Sequence, residues 1–381
     1  MDITLQPGKL RGAVAAPPSK SIMHRLLICA AFADGITELI CPEAGDDIGA
    51  TIQCLQALGA KIRHDNGKFL VEPAAKIPDA LELNCRESGS TLRFLLPVVG
   101  ALGLNATFFM EGRLPQRPLS PLWEEMKRMG CHLSRPSANS IGCTGKLRSG
   151  AYYMDGSVSS QFISGLLLAL PLIKGKTSLQ ITGTVESKPY IEMTGYVLEL
   201  FKDGFPKQIT VEGDWSNAAF WLAANALGSD VTVTGLEDVS TQGDRTVAQL
   251  LPILKKNAAI SAADIPDLVP VLSVVAAASC GATFTDIHRL RLKESDRVAA
   301  IIAMLESLGG KAVASDNTLT VYGTGLQGGC VDSFGDHRVA MAAAIAATVC
   351  FRPVTILGAE CVKKSYPRFW EEYARLGGKY A

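Results

Sequence analysis

The 381-residue chain is predicted to be an α/β protein made of six copies of one strand-helix-strand-helix unit, three in each of two domains. Three observations predict it. Helices of two kinds alternate along the chain, one amphipathic and one apolar on nearly every face. Each apolar helix is followed by a β-branched or aromatic stretch. A hairpin signal falls between one amphipathic helix and the next apolar one. A helix apolar on all faces needs a core wrapped around it, which favours compact domains over a solenoid.

The apolar, alanine-rich helices start at Ser19, Ser88, Ser159, Ser216, Asp267 and Asp336. The strands after them read ITELIC, ATFFMEG, TSLQITG, DVTVTGL, ATFTDI and PVTILGA. The amphipathic helices start at Asp46, Ser120, Tyr190, Asp244, Ser295 and Tyr366. Gly59, Gly130, Gly204, Gly309 and Gly377 stand where a left-handed residue stops five of them, and Asn257 stands there in the sixth. The hairpin is clearest in AKIRHDNGKFLVEP, where Asn66-Gly67 sits between alternating apolar residues. Two units are short. Only PKQITVEG separates the helix from Tyr190 from Asp214, and only ISAAD separates the helix from Asp244 from Ile265, so each is expected to lack a hairpin strand. Residues 17–211 form one predicted domain of three units. Residues 1–16 and 212–381, with both termini, form the other.

Apolar residues make up 48% of the chain and charged residues 19%, which excludes a disordered protein. Lys plus Arg equals Asp plus Glu at 37 each, which argues against a general nucleic-acid or membrane-surface binder. The ten cysteines form no Cys-x-x-Cys pair and no Cys/His cluster of zinc-ligand spacing, as expected of reduced thiols in a cytoplasmic protein. MDITLQPGKL has no signal-peptide apolar core, and the longest apolar run, Val339 to Phe351, is too short for a bilayer, which needs ~20 residues.

The apolar helices of the first half begin Ser19-Lys20-Ser21, Ser88-Gly89-Ser90-Thr91 and Ser157-Val158-Ser159-Ser160-Gln161. One such start is ordinary N-capping by serine. Three equivalent starts, with Lys20 and Arg25 beside one of them, point to an anion site built from free N–H groups and hydroxyls. In the second half Asp214 and Asp336 read as N-caps, while Asp267 is open as cap, base or both. The run RLRLKESDR supplies Arg289, Arg291, Lys293, Glu294, Asp296 and Arg297. A charged run is ordinarily a solvated helix start, but this one follows a strand directly, where α/β proteins place ligands. Arg117, Arg338 and Lys364 add cations that suit a substrate with more than one phosphate or carboxylate.

With these residues assembled, the chain resembles the 5-enolpyruvylshikimate-3-phosphate synthase family from end to end. The resemblance rests on PPSKSIMHR, GSTLR, QRPL, DGSVSSQF, SKPYI, QGDR, IPD, KESDR, DHR and the late KSYP, in the family's order. It implies the two-domain enolpyruvyl-transferase fold (an inside-out α/β barrel), with the active site in the cleft between domains that close on binding. It implies transfer of the enolpyruvyl group of phosphoenolpyruvate to the 5-hydroxyl of shikimate 3-phosphate, with no metal or cofactor, by a monomer. By the same resemblance Asp267, Glu294 and Lys20 handle protons. Lys20, Ser21, Arg25, Ser159, Ser160, Gln161, Ser187, Tyr190, Asp267 and Lys293 meet shikimate 3-phosphate, and Lys20, Gly89, Arg117, Gln161, Arg297, Arg338 and Lys364 meet phosphoenolpyruvate. Glu87 departs from the asparagine frequent in the family, and the two short units are a second departure. The related UDP-N-acetylglucosamine enolpyruvyl transferases differ by a Lys-Asn pair at Lys20-Ser21 and a loop cysteine, which GRLPQRP lacks.

Overall fold

The computed structural model describes residues 1–78 and 80–381, and the chain falls into two units: Met1–Pro17 with Gly213–Ala381, and Pro18–Glu212. It opens with β1 (Ile3–Leu5) and β2 (Arg11–Ala15). The first repeat is α1 (Lys20–Ala31), β3 (Thr37–Ile40), α2 (Asp46–Ala57) and a hairpin of β4 (Lys61–Asp65) and β5 (Lys68–Glu72). The second is β6 (Ala80–Asn84), α3 (Gly89–Leu102), β7 (Asn105–Phe109), α4 (Leu122–Arg128) and the hairpin β8 (Cys131–Ser137) and β9 (Ser140–Gly145). The third is β10 (Gly150–Asp155), α5 (Ser160–Ala169), β11 (Thr177–Thr182), α6 (Lys188–Leu200) and β12 (Gln208–Thr210).

The fourth repeat has α7 (Trp215–Ala226), β13 (Asp230–Thr234) and α8 (Val247–Ile253). The fifth has β14 (Ala258–Ser261), α9 (Val269–Ala277), β15 (Ala282–Thr285), α10 (Arg297–Ser307) and the hairpin β16 (Lys311–Ala314) and β17 (Thr318–Tyr322). The sixth has β18 (Gly329–Asp332), α11 (His337–Ala346), β19 (Val354–Leu357) and α12 (Phe369–Arg375). All twelve expected helices are present.

Local chemistry explains the stops and starts. Asn66 and Gly67 both take positive φ (49° and 75°), as a tight turn between β4 and β5 requires. The five expected glycines take positive φ, but Asn257 does not: α8 ends at Ile253, and a four-residue turn leads into β14 without a left-handed stop. Pro189 at the second position of α6 lets that helix begin at Lys188, ahead of the expected Tyr190. At Asp244 the chain makes a 3-10 turn, Gly243–Thr246, before α8 begins.

Four strands pair in one order in each full repeat. The strand before the apolar helix lies parallel to the strand after it, followed by the second and then the first hairpin strand, antiparallel. The sheets β6-β7-β9-β8 and β14-β15-β17-β16 follow this order within one repeat. Two strands are exchanged. β2, which precedes α1, pairs in parallel with β13, and β12, which precedes α7, pairs in parallel with β3 to give β12-β3-β5-β4. In the sixth repeat β1 takes the place beside β19, and Thr4 and Ala381 exchange backbone hydrogen bonds of 2.9 and 3.0 Å. The short repeats keep only the two-stranded sheets β10-β11 and β2-β13, so among the described residues both hairpin strands are missing, not one.

Each unit has its own core, gathered on its three apolar helices: Leu26, Leu95 and Phe162 in one, Phe220, Leu272 and Val339 in the other. Every residue of α9 and α11 is buried. Among the described residues no helix is long and apolar enough to cross a membrane.

Candidate active site

The residues singled out in the sequence fall into two groups, one in each unit. In Pro18–Glu212 they gather at the N-terminal ends of α1, α3, α5 and α6. Ser88 caps α3 by accepting the Thr91 N–H at 3.2 Å, and Ser159 caps α5 by accepting the Gln161 N–H at 3.3 Å. Ser19 stands at the cap position of α1 without such a bond. Lys20 begins α1 and pairs with Asp47 of α2 at 2.8 Å. Gly89 begins α3. A Cβ built on it lies 2.8 Å from Arg117 Nη1 and 2.9 Å from Arg93 Nη1, so two guanidinium groups converge where only glycine leaves room. Gln161 joins this group, accepting from Arg93 at 2.7 Å and donating to Ser90 Oγ at 3.0 Å.

Arg25 lies one turn further along α1 and is buried. It donates to Thr194 Oγ1 (2.7 Å), the Ser21 carbonyl (2.6 Å), Ser164 Oγ (3.1 Å) and the Tyr190 carbonyl (3.0 Å), binding α1, α5 and α6 together. Burial brings its pKa down to about 10. Ser160 and Ser187 are buried close by, and Ser187 takes φ 54° at the start of α6, a left-handed conformation unusual for serine. His24 is buried and donates to or accepts from Thr51 Oγ1 at 2.8 Å. Burial, with Lys20 and Arg25 adding to it, pushes its pKa well down and keeps the ring neutral. Thr51 then meets Thr91 Oγ1 at 2.7 Å, and Thr91 meets Ser88 Oγ at 2.7 Å, a buried chain tying α1, α2 and α3.

In the other unit Arg297, at the first position of α10 and 1% exposed, faces three carboxylates. It donates to Asp267 at 2.6 Å, Glu294 at 2.8 Å and Asp336 at 2.9 Å. Asp267 also lies 3.5 Å from Lys293 and 3.5 Å from Arg338. Burial alone raises the Asp267 pKa, but Lys293, Arg297 and Arg338 outweigh it and hold the carboxyl well below its ordinary range. Lys293 is pulled down to about 8, because burial and the nearby Arg297 outweigh the attraction of Asp267. Arg338 is buried and donates to Ser216 Oγ at 2.6 Å, and Lys364 Nζ reaches the Gly335 carbonyl at 3.2 Å.

The expected N-caps hold. Asp214 accepts the Asn217 N–H at 2.9 Å and Asp336 accepts the Arg338 N–H at 2.9 Å. Asp267 is no cap: α9 starts at Val269 and its carboxylate is turned to the cations. The run RLRLKESDR is not a solvated helix start, since Arg289, Ser295 and Arg297 are buried. Three contributors were not assigned to the site from sequence. Arg93 was visible inside GSTLR, four residues after Gly89 and so on the same helix face. Asp47 and Asp336 were not: an acidic residue in a first turn or at a cap is explained without any partner.

The family described as EPSP synthase (3-phosphoshikimate 1-carboxyvinyltransferase) matches residues 5–205 and 202–373. Proteins called 3-phosphoshikimate 1-carboxyvinyltransferase share 38% identity over 415 residues in Clostridium kluyveri, covering 99% of this chain and 97% of that protein. The match to the Clostridium beijerinckii protein is 36% over 426 residues, with 100% and 98% covered. Both alignments run longer than the 381-residue chain, so the excess falls in gaps, as absent hairpins produce. The solved EPSP synthase of Acinetobacter baumannii superposes with a TM-score of 0.80 at 23% identity, covering 100% of this chain and 99% of that one. The enolpyruvyl transferase NikO of Streptomyces tendae gives 0.75 at 18%, covering 100% and 98%. The fold is therefore that of the enolpyruvyl transferases.

Proposed function

The chain belongs to the EPSP synthase family, and from that premise we propose that it transfers the enolpyruvyl group of phosphoenolpyruvate to the 5-hydroxyl of shikimate 3-phosphate. The observation that carries this reading is the 38% identity running through 99% of the chain. In the reaction, C3 of the enol gains a proton while the 5-hydroxyl loses one and its oxygen bonds to C2. From the resulting tetrahedral intermediate a proton leaves C3, the C2–O bond to phosphate breaks, and inorganic phosphate departs.

The two residue groups suit the two demands of that chemistry. Asp267 is assigned to the 5-hydroxyl proton, and the three cations around it keep its carboxylate ionised and able to accept. Glu294 and Lys20 are assigned to the proton at C3. Ser21, Ser159, Ser160, Ser187 and Tyr190 offer hydroxyls, and Lys293 a charge, to the sugar phosphate. Gly89, Arg117, Gln161, Arg297, Arg338 and Lys364 are assigned to phosphoenolpyruvate, whose leaving phosphate gains charge as the bond breaks. Arg25 is assigned to shikimate 3-phosphate as well, holding the three helices that carry its other ligands. The protein is read as a cytoplasmic enzyme acting as a monomer. Phosphate release with both substrates tests the reading. Turnover with shikimate 3-phosphate and none with UDP-N-acetylglucosamine is expected, and the reverse preference overturns it.

A further inference from the structure

Helices α1, α5 and α6 carry candidate shikimate 3-phosphate residues at their N-terminal ends, and their C-terminal ends line a cavity of about 450 Å³. Its walls are apolar: Ile28 and Phe32 of α1, Leu168 and Leu172 of α5 and the turn after it, and Leu198 and Phe201 at the end of α6. At the rim stand Asp34 and the Glu199–Lys202 ion pair (2.9 Å). Asp34 is exposed, and among the described residues no hydrogen bond or ion pair engages its carboxylate.

The other repeats explain why this space is open. β5 packs on α1, β9 on α3 and β17 on α9, so a hairpin strand covers the apolar helix in each complete repeat. The third repeat has no such hairpin, and Leu172 after α5, Leu198 near the end of α6 and Phe201 just after it are left half-buried around a void. A void of this size lined by aliphatic and aromatic groups, with a single carboxylate lacking a partner, matches a ring or branched hydrocarbon carrying positive charge. The path to the other end is short. α1 has 12 residues, about 18 Å of helix, and Arg25 clamps α1, α5 and α6 midway along it.

We propose that this cavity binds a small apolar molecule bearing an ammonium group, and that its occupancy tightens shikimate 3-phosphate binding at the opposite ends of the same helices. Filling the void orders the C-terminal ends against one another, so a substrate that needs the same helices aligned finds part of that ordering done. The coupling rests on the assignment of shikimate 3-phosphate to those N-termini; the cavity does not.

The test titrates the full chain with 2-phenylethylamine, 2-phenylethanol and 3-phenylpropanoate by calorimetry, with and without shikimate 3-phosphate. Saturable binding of the amine is expected, with the anion weaker and the alcohol between. Leu172→Trp and Ala33→Phe fill the void from different walls; both should abolish amine binding while leaving turnover near wild type. Asp34→Asn, at an exposed position, should erase the preference for the amine over the alcohol. Shikimate 3-phosphate affinity should rise about 5-fold or more with the amine bound, and the amine's by the same factor with the substrate bound. No saturable amine binding, binding retained in both filled variants, or unchanged substrate affinity at amine saturation overturns the proposal. A chain that binds the amine but no shikimate 3-phosphate under any condition would instead overturn the functional assignment.

Discussion

Asp267 and Lys293 are 3.5 Å apart, yet both have lowered pKa values. Desolvation lowers Lys293 most, and Arg297 and Arg289 add to it against Asp267 and Glu294, whereas Asp267 faces three cations that outweigh its own desolvation. A lysine at about 8 loses its charge just above neutrality, so kcat/KM is expected to fall on a basic limb near pH 8. Lys293→Arg should move that limb upward by more than a pH unit, and an unmoved limb would assign it elsewhere. For Asp267 the sign is opposite. Its folded pKa lies below the unfolded 3.8, so its contribution to stability is present above about pH 4 and is lost as pH falls through the lower folded value. Asp267→Asn should flatten the acid side of a stability-versus-pH curve from urea unfolding. Gly89 permits another single-residue test. An Ala methyl must displace Arg117 and Arg93, the far ends of flexible side chains, so the protein folds but the guanidinium groups shift. A rise in KM for phosphoenolpyruvate on the order of 10- to 100-fold is expected, with KM for shikimate 3-phosphate nearly constant. An equal rise in both would show that glycine is needed only for the backbone.

At the scale of elements, the segment replacing the third hairpin is held by packing of a particular kind. A Cβ on Gly35, in the turn after α1, would enter the ring of Phe205, so the ring sits flush against the backbone. Gly35→Ala should cost about 1–3 kcal/mol through overpacking, seen as a lower urea midpoint. Phe205→Leu in the same chain should restore part of that loss; full additivity of the two changes would deny the contact. The helices themselves were legible because 3.6-residue periodicity and glycine stops are local signals. The starts were less so: Asp267 precedes α9 by two residues, and only its cations, 26 to 71 residues away in sequence, reveal that it is not a cap. Arg297 is the sharper case, since a charged run reads as solvated until Asp267 and Asp336, from separate segments, are seen closing over it beside its own Glu294.

Over the whole molecule, the count of six repeats was legible, but the exchange of β2 and β12 was not, because strand partners more than 150 residues apart leave no periodic trace. Among the described residues each unit carries one two-stranded sheet beside sheets of three or four. Two-stranded pairs keep fewer shared hydrogen bonds and an open edge. Amides of β10-β11 and β2-β13 are therefore expected to exchange with solvent well ahead of those in β6-β7-β9-β8 and β14-β15-β17-β16. Uniform protection across all six sheets would mean that the missing hairpins weaken nothing. Their loss also separates two functions of the architecture. The third repeat has lost its hairpin and still carries Gln161 and Ser187 at the starts of α5 and α6. Hairpin bulk and candidate site residues are thus separable parts of the scaffold, and grafting a hairpin after α6 should lengthen its thermal lifetime before it changes turnover.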